Sequence, residues 1–263
     1  MALSDKIVHR SRRALRKLGL GHLVESETKR FPEQKAEIDN DMARIFHAHE
    51  GRLAQKWDHY HRIYDRHLAR FRGSKFKFLE IGVNHGGSLQ IWRKYFGPDA
   101  TIFGVDIDKR CAAVGDPPSI NIRIGSQADL PFLRSVVKEM GGIDVVLDDG
   151  SHYVSHQRAS FEALFPLLSP RGTYIVEDLH TNYWRGQYEG GWRRRSTFIE
   201  QMKDVVDDLH GWWHTKPQRL SGAHSTVEAI HFYDSVVVIE KNPKKGPFSR
   251  GVGVPSFPES SPR

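Results

Sequence analysis

The chain has 263 residues, enough for one large α/β domain or two small ones with ample core, and a formal net charge of +7. A single cysteine, Cys111, excludes an intrachain disulfide and a cysteine-rich zinc site. No apolar run reaches the length of a membrane span, and no uninterrupted apolar stretch follows the first basic residues, so the sequence predicts a cytoplasmic protein rather than a secreted or membrane-spanning one.

Much of the excess positive charge sits near the start, in IVHRSRRALRKLGLG, which contains no acid. This sets off residues 1–32 as a basic, partly flexible segment. It reads as a solvated helix or frayed end, with a weak contact to a membrane surface or a polyanion as its functional alternative. Residues 33–72 hold no proline and one glycine, and Ile38, Met42, Ile45, Leu53, Trp57, Tyr60, Tyr64 and Leu68 recur at roughly helical spacing. That predicts two helices broken near Gly51. From residue 76 short apolar runs alternate with helical segments. FKFLEIGV, TIFGVDI, IDVVLDD and TYIVEDL read as strands; SLQIWRKYF, LPFLRSVVKEM and HQRASFEALFPLL read as helices. Such alternation means βαβ units around a parallel, buried sheet. VEAIHFYDSVVVIEK adds two strands turning at Tyr233-Asp234-Ser235, an antiparallel edge. Residues 33–242 therefore form one Rossmann-like α/β domain, and 243–263, rich in Pro, Ser and Gly, a disordered tail.

In such a sheet the useful residues lie at the carboxyl ends of the strands. The first strand ends in Glu80-Ile81-Gly82-Val83-Asn84-His85-Gly86-Gly87-Ser88. A glycine-rich turn there lets a ligand approach the backbone and the helix N-terminus. The spacing is acid-x-Gly-x-x-x-Gly and not G-x-G-x-x-G, which argues against a nicotinamide dehydrogenase. The second strand ends in Asp106, about 20 residues beyond the turn, where a ribose-binding acid belongs. Gly125, Ser126 and Gln127 offer small and amide-bearing groups suited to an adenine edge. The third apolar run ends abruptly in Asp148-Asp149-Gly150-Ser151-His152, and the next in Glu177-Asp178.

EIGVNHGGS, GVDID, GSQAD and DVVLDDGSH, taken in order, resemble the successive motifs of class I S-adenosylmethionine-dependent methyltransferases over residues 56–241. The resemblance implies a seven-stranded, mostly parallel sheet with helices on both faces and one antiparallel strand. It implies S-adenosyl-L-methionine across the strand tips, held by Glu80, Gly82, Asn84, Gly86, Ser88, Asp106, Ser126 and Gln127. DDGSH followed by IVEDLHTNYW is similar to the metal-dependent sugar O-methyltransferases that act on macrolide antibiotics, and to the cephalosporin hydroxylase-like group. KWDHYHRIYDRHL looks like that group's entry segment, which would bring Tyr60 and Tyr64 towards the cofactor. Carried over by motif, Asp149, Glu177 and Asp178 hold a divalent metal and His152 is the base.

The chemistry of the residues agrees. Two acid pairs at adjacent strand tips repel or protonate unless a cation joins them. An all-oxygen set suits Mg²⁺ or Mn²⁺. Methyl transfer to a hydroxyl needs an alkoxide-like nucleophile, which a metal together with His152 can supply. Asp149 thus counts with His152 in the catalytic set, and Asp148 is assigned to orienting the cofactor or the turn. Tyr183 and Trp184, in the loop after Asp178, suit stacking on a sugar face, with Gly190-Gly191 as a hinge.

The expected reaction is methylation of a hydroxyl on a sugar, glycosylated metabolite or polysaccharide, with a small-molecule or oligosaccharide acceptor and no nucleic-acid partner. The rivals are an iron-dependent oxygenase built on Asp149, His152 and His180, and a non-catalytic module binding a polyanion or membrane through its basic arm. The segment before residue 56 is left with two roles, supporting a homo-oligomer or covering the cofactor.

Overall fold

The computed structural model describes residues 35–215 and 221–257. The chain divides into Met1–Glu37 and a compact unit, Ile38–Arg263, that carries every element discussed below. The expectations for the basic N-terminal segment lie outside the described residues.

Two short helices come first, α1 (Asp41–His47) and α2 (Tyr60–Leu68), separated by an irregular segment around Gly51. The sheet and its helices then follow as β1 (Lys77–Ile81), α3 (Gly87–Phe96), β2 (Thr101–Asp106), β3 (Ile120–Ile124), α4 (Leu130–Met140), β4 (Ile143–Asp148), α5 (Val154–Leu164), β5 (Leu168–Val176), α6 (Phe198–Leu209), α7 (Ala223–Thr226), β6 (Val227–Tyr233) and β7 (Val236–Lys241). The sheet has seven strands in the order β3-β2-β1-β4-β5-β7-β6. Neighbours from β3 through β5 pair in parallel, while β7 runs antiparallel to both β5 and β6. The expected Rossmann-like sheet with one reversed strand is what forms.

Each face of the sheet has its own core. Leu79, Ile81 and Val146 pack under α4, α5 and α6 through Leu133, Phe161 and Phe198. Phe78, Val145, Leu147 and Ile175 pack under α1, α2 and α3 through Met42, Tyr64 and Trp92. The strands read as unbroken apolar runs because both faces are covered. α4 matches its predicted span because Asp129 caps it, its carboxylate accepting from Phe132 N, and Gly141 closes it in the left-handed conformation.

Two features depart from the sequence reading. β3 was not expected as a strand: Ile120 is buried, but the next four residues are only half-buried at the sheet edge. Phe198, Ile199, Met202 and Val205 form the buried side of α6, a helix where only a loop end was read. Further on, Trp212 and Trp213 are exposed, and Trp212 Nε1 donates to the His224 carbonyl at 2.9 Å. Through Phe257 the C-terminal residues carry neither helix nor strand and are exposed.

Candidate active site

Strand register assembles the acids. Ile81 pairs with Asp148, and Asp148 with Val176, so three carboxyl ends finish level. The ladder runs one step further: Asp149 N donates to Ile81 O and Glu177 N to Asp148 O, both at 2.9 Å. Side chains alternate faces along a strand. Phe78, Leu147 and Ile175 belong to the α1–α3 face, so Glu80, Asp149 and Glu177 emerge on that same face. Asp148 is on the other one. It is 1% exposed and accepts from Ser160 Oγ at 2.5 Å, Gln127 Nε2 at 2.6 Å and Gly150 N at 3.3 Å. Two adjacent aspartates thus avoid repulsion by facing opposite sides of the sheet. Asp148 lies behind the cleft wall and orients the turn, with no surface of its own for a cofactor. Burial pushes its pKa up to about 7, against those hydrogen bonds.

Asp178 breaks the alternation. At φ 54° it adopts the left-handed conformation, and its carboxylate joins Glu177 on the α1–α3 face. His152, at φ 59°, is a second non-glycine residue in that region. Strain at such positions persists where the surrounding structure over-determines it, often at functional sites.

The entry segment brings the counter-charge. Lys56, 6% exposed at its side chain, places Nζ 2.5 Å from Asp149 Oδ2, 2.9 Å from Glu177 Oε2 and 3.8 Å from Glu80 Oε1. Burial alone would lower its pKa, but the carboxylates of Asp149, Glu177 and Glu80 outweigh it and hold the ammonium well above its usual range. Tyr64 donates its hydroxyl to Glu177 Oε1, and Tyr60 donates to Asp178 Oδ1 at 2.7 Å. The two tyrosines therefore buttress the acids, where the resemblance led towards the cofactor. Burial and the nearby Asp149 charge raise the Glu177 pKa well above the usual range. Burial lifts Glu80 to about 7 in spite of Lys56.

These contacts leave one oxygen of each aspartate facing inward. His152 Nε2 stands 3.9 Å from Asp149 Oδ1 and 3.6 Å from Asp178 Oδ2. One ligand atom each from Asp149, His152 and Asp178 falls within 4.8 Å of the others, and the buried His152 Nδ1 has no hydrogen-bond partner. The two inward carboxylate oxygens fit a divalent cation, with the His152 imidazole beside them and its Nε2 free to take a proton. The converging set differs from Asp149, Glu177 and Asp178, because Glu177 is tied through both oxygens to Lys56 and Tyr64. A carboxylate offers about four acceptor sites, so those ties leave Glu177 capacity to join an ion held by the aspartates. The oxygenase triad does not assemble: His180 Nδ1 turns to Ser235 Oγ at 2.5 Å, and Asp178 takes the third place beside Asp149 and His152.

Beside the acids lies a cleft lined by Gly82, Asp106, Ile107, Gly125, Ser126, Gln127, Ser151 and His156, among others. Gly82, at φ 96°, is required there: a Cβ would stand 2.0 Å from the Asp149 carbonyl oxygen. Asp106 shapes the turn as well as the cleft. Its Oδ2 accepts from Val83 N at 2.9 Å and Asn84 N at 3.0 Å, and its Oδ1 from Asp108 N at 2.9 Å. Burial raises its pKa, and these backbone N–H groups more than reverse that, leaving it below the usual value. Gln127 bridges the walls, donating to Asp148 and accepting from Ser151 N at 3.0 Å. Ser126 lines the cleft, Asn84 (φ 48°) is exposed, and Gly86 caps α3. Ser88 Oγ bonds Glu80 at 2.9 Å, so these two stay in the floor beneath the turn.

An aromatic rim surrounds the acids. Ring centroids step from Trp57 to His180 (6.0 Å), to Trp184 (5.0 Å), to Tyr188 (5.7 Å) and to His152 (6.5 Å). Tyr183 leaves this rim and pairs with Trp192 at 6.3 Å. Gly190-Gly191 are tucked under the loop, Gly191 N donating to Asn182 O at 2.8 Å, which anchors the expected hinge. Lys56, Trp57, His180, Tyr188, Ile107, Ser151 and His156 were not singled out for these places. Trp57 and Lys56 lay in a segment matched by resemblance, and His180 follows the acid pair by two residues; the others gave no local signal.

No protein-family model matches the chain. It is 36% identical over 213 residues to the 8-demethyl-8-(2-methoxy-alpha-L-rhamnosyl)-tetracenomycin-C 3'-O-methyltransferase of Streptomyces olivaceus, covering 76% of this chain and 54% of that protein. It is 35% identical over 191 residues to the mycinamicin VI 2''-O-methyltransferase of Micromonospora griseorubida, covering 68% of this chain and 47% of that one. Among solved structures, it resembles the MycE methyltransferase from the mycinamycin biosynthetic pathway in complex with Mg, SAH and mycinamycin VI. That match has a TM-score of 0.69 and 30% identity, over 84% of this chain and 57% of the other. The chain spans about half the length of the curated relatives it matches. With this sheet order, strand-tip cleft and acid cluster, the chain belongs to the class I S-adenosylmethionine-dependent methyltransferases and is similar over most of its length to these O-methyltransferases.

Proposed function

We propose that the chain is an S-adenosylmethionine-dependent, divalent-metal-assisted O-methyltransferase that methylates a sugar hydroxyl of a glycosylated small molecule. The observation that carries this reading is the convergence of Asp149, His152 and Asp178 beside the Gly82–Asp106–Gln127 cleft. The relatives support the acceptor class, since their names specify O-methylation of a rhamnosyl tetracenomycin and of an olivosyl oleandolide.

In this reading Asp106 holds the ribose while it pins the glycine turn, and Ser126, Gln127 and the exposed Ile107 surround the adenine. Asp149 and Asp178 would hold Mg²⁺ or Mn²⁺, with Glu177 close behind. A bound divalent ion would lower the pKa of an acceptor hydroxyl. His152, whose Nε2 faces both aspartates, accepts the proton of that hydroxyl. Lys56 neutralises the acids that remain, and Trp57, Trp184 and Tyr188 orient the sugar and exclude water. The cofactor, when bound, would supply an electrophilic methyl whose C–S electron pair returns to sulfur as the acceptor oxygen bonds the carbon, so in-line placement of that oxygen is the protein's principal contribution.

The test is incubation with S-adenosylmethionine, Mg²⁺ and a panel of rhamnosylated and deoxysugar polyketides, read by mass spectrometry for a one-methyl gain. Methylation that a chelator abolishes and Mg²⁺ restores is the expected result. Failure to bind the cofactor by calorimetry removes the methyltransferase reading; binding and turnover that ignore a chelator remove the metal from it. His152→Ala should lower kcat by about 10²–10⁴-fold with cofactor affinity unchanged.

A further inference from the structure

The N-terminal helices carry another cluster of metal-binding side chains, apart from the acids at the strand tips. His47 ends α1, Asp58 lies in the segment before α2, and His61 is in the first turn of α2. His47 Nε2 is 3.0 Å from Asp58 Oδ1, and His61 Nδ1 is 3.6 Å from the same oxygen. One ligand atom from each lies within 4.8 Å of the other two. With metal–ligand bonds of about 2.0–2.1 Å, adjacent ligand atoms in a tetrahedral zinc site stand about 3.3 Å apart. The two separations bracket that edge.

His61 supplies the second, independent observation. It is 1% exposed, and neither ring nitrogen has a hydrogen-bond partner. A buried polar group left unsatisfied is costly, and a bound ion would satisfy it. The nearest carboxylate oxygen, at 3.6 Å, is too far for a hydrogen bond and is placed as a fellow ligand would be. Phe46, with its ring centroid 4.3 Å away, fixes the imidazole in place. His47 and Asp58 are exposed, leaving room for a water to complete the coordination. A similar trio, His67, His231 and Glu240, differs in one respect: the buried His67 is already satisfied, by Glu240 at 3.1 Å and the Tyr233 hydroxyl at 2.8 Å.

We propose that His47, Asp58 and His61 form a binding site for a zinc-class divalent ion that staples α1 to α2. Two imidazoles and one carboxylate favour zinc over magnesium. The site does not depend on the methyltransferase reading. It bears on it all the same, because Tyr60, next to His61, donates to Asp178, and a staple there steadies the helix that supports the acids.

The experiment titrates Zn²⁺ into the metal-free full chain by calorimetry in excess Mg²⁺, with Co²⁺ as a spectroscopic probe. The expected result is one Zn²⁺ equivalent, a visible Co²⁺ spectrum of low coordination number, and a rise in Tm. Asp149→Asn, which disables the strand-tip site, should keep all three. His61→Phe and His47→Asn should each weaken binding roughly tenfold or more, since even an outer-shell partner is worth 10–100-fold in metal affinity. His47 is exposed, so His47→Asn tests the site even if the buried substitution fails to fold. The proposal is overturned by the absence of a Zn²⁺ equivalent in Asp149→Asn, by binding that His47→Asn leaves unchanged, or by binding lost only in His231→Phe.

Discussion

Lys56 is the residue whose surroundings least resemble what its type suggests. Lysines are rarely buried unless paired, and this one is paired with three acids. Its ammonium carries in the metal-free protein part of the charge that a divalent ion carries in the proposed holoenzyme. Lys56→Met keeps most of the volume and removes the charge, leaving Asp149 and Glu177 uncompensated. Breaking a buried pair costs about 3–5 kcal/mol; the partial exposure of Asp149 puts the loss here near the lower bound. Urea unfolding without metal should register it. Mg²⁺ should then stabilise Lys56→Met more than the wild type, and an equal response in both proteins would remove the charge-sharing account. Cys111 gives a second residue-scale expectation. Burial, with the Asp106 carboxylate nearby, pushes its thiol from 9.0 up to about 11. The folded state thus favours the protonated thiol, so this contribution to stability is complete below pH 9 and is lost as pH rises through about 11. Two units also mean about 100-fold less thiolate at neutral pH. Iodoacetamide should label the folded chain far more slowly than the urea-unfolded chain; comparable rates would contradict the burial of the thiol.

At the scale of elements, the period of a β-strand decides which acid does what. Asp148 and Asp149 are neighbours in sequence and on opposite faces of the sheet, one beneath α5 and the other beneath α2. Their substitutions should separate accordingly. Asp148→Ala strips Gln127 Nε2 and Gly150 N of an acceptor, at about 1–3 kcal/mol for each group left buried and unpaired. It should lower stability and weaken cofactor binding through the Gln127 wall while sparing Mg²⁺ affinity. Asp149→Asn should do the reverse, keeping cofactor binding and losing the metal signal. Paired calorimetric titrations distinguish the two, and a shared phenotype would sink the division by face. The strands themselves were readable, since continuous runs such as IDVVL mark sheets covered on both sides. β3 was not, because an edge strand with Asn121 and Arg123 half-exposed lacks such a run. The acid cluster was half readable. Its members stood out as carboxylates at strand ends, but the left-handed turn at Asp178 and the diversion of Glu177 to Lys56 and Tyr64 depend on side chains more than 110 positions away.

Across the whole molecule, two distant stretches meet over the acids. Trp57 comes from the segment before α2, while His180, Trp184 and Tyr188 come from the loop after β5, and the Trp57–His180 ring contact joins the two stretches. No local pattern marks such a rim, which explains why Tyr183 and Trp184 looked equivalent in sequence and are not: only Trp184 shares ring contacts with His180 and Tyr188. The half-exposed indoles of Trp57 and Trp184, on either side of the His180 ring, leave an apolar face directed at solvent, which suits the C–H face of a sugar. The rim makes no part of the Gly82–Asp106–Gln127 cleft. Trp184→Ala should therefore raise KM for the acceptor while leaving cofactor affinity and kcat nearly unchanged, and Tyr183→Ala should do neither. Loss of one aromatic face, at about 1 kcal/mol, corresponds to roughly a fivefold change in KM. Steady-state kinetics with acceptor varied at saturating S-adenosylmethionine measure this directly. Equal effects of the two substitutions would mean that the acceptor lies across the outer Tyr183–Trp192 pair instead, and a change confined to cofactor affinity would place the rim in the wrong half of the site.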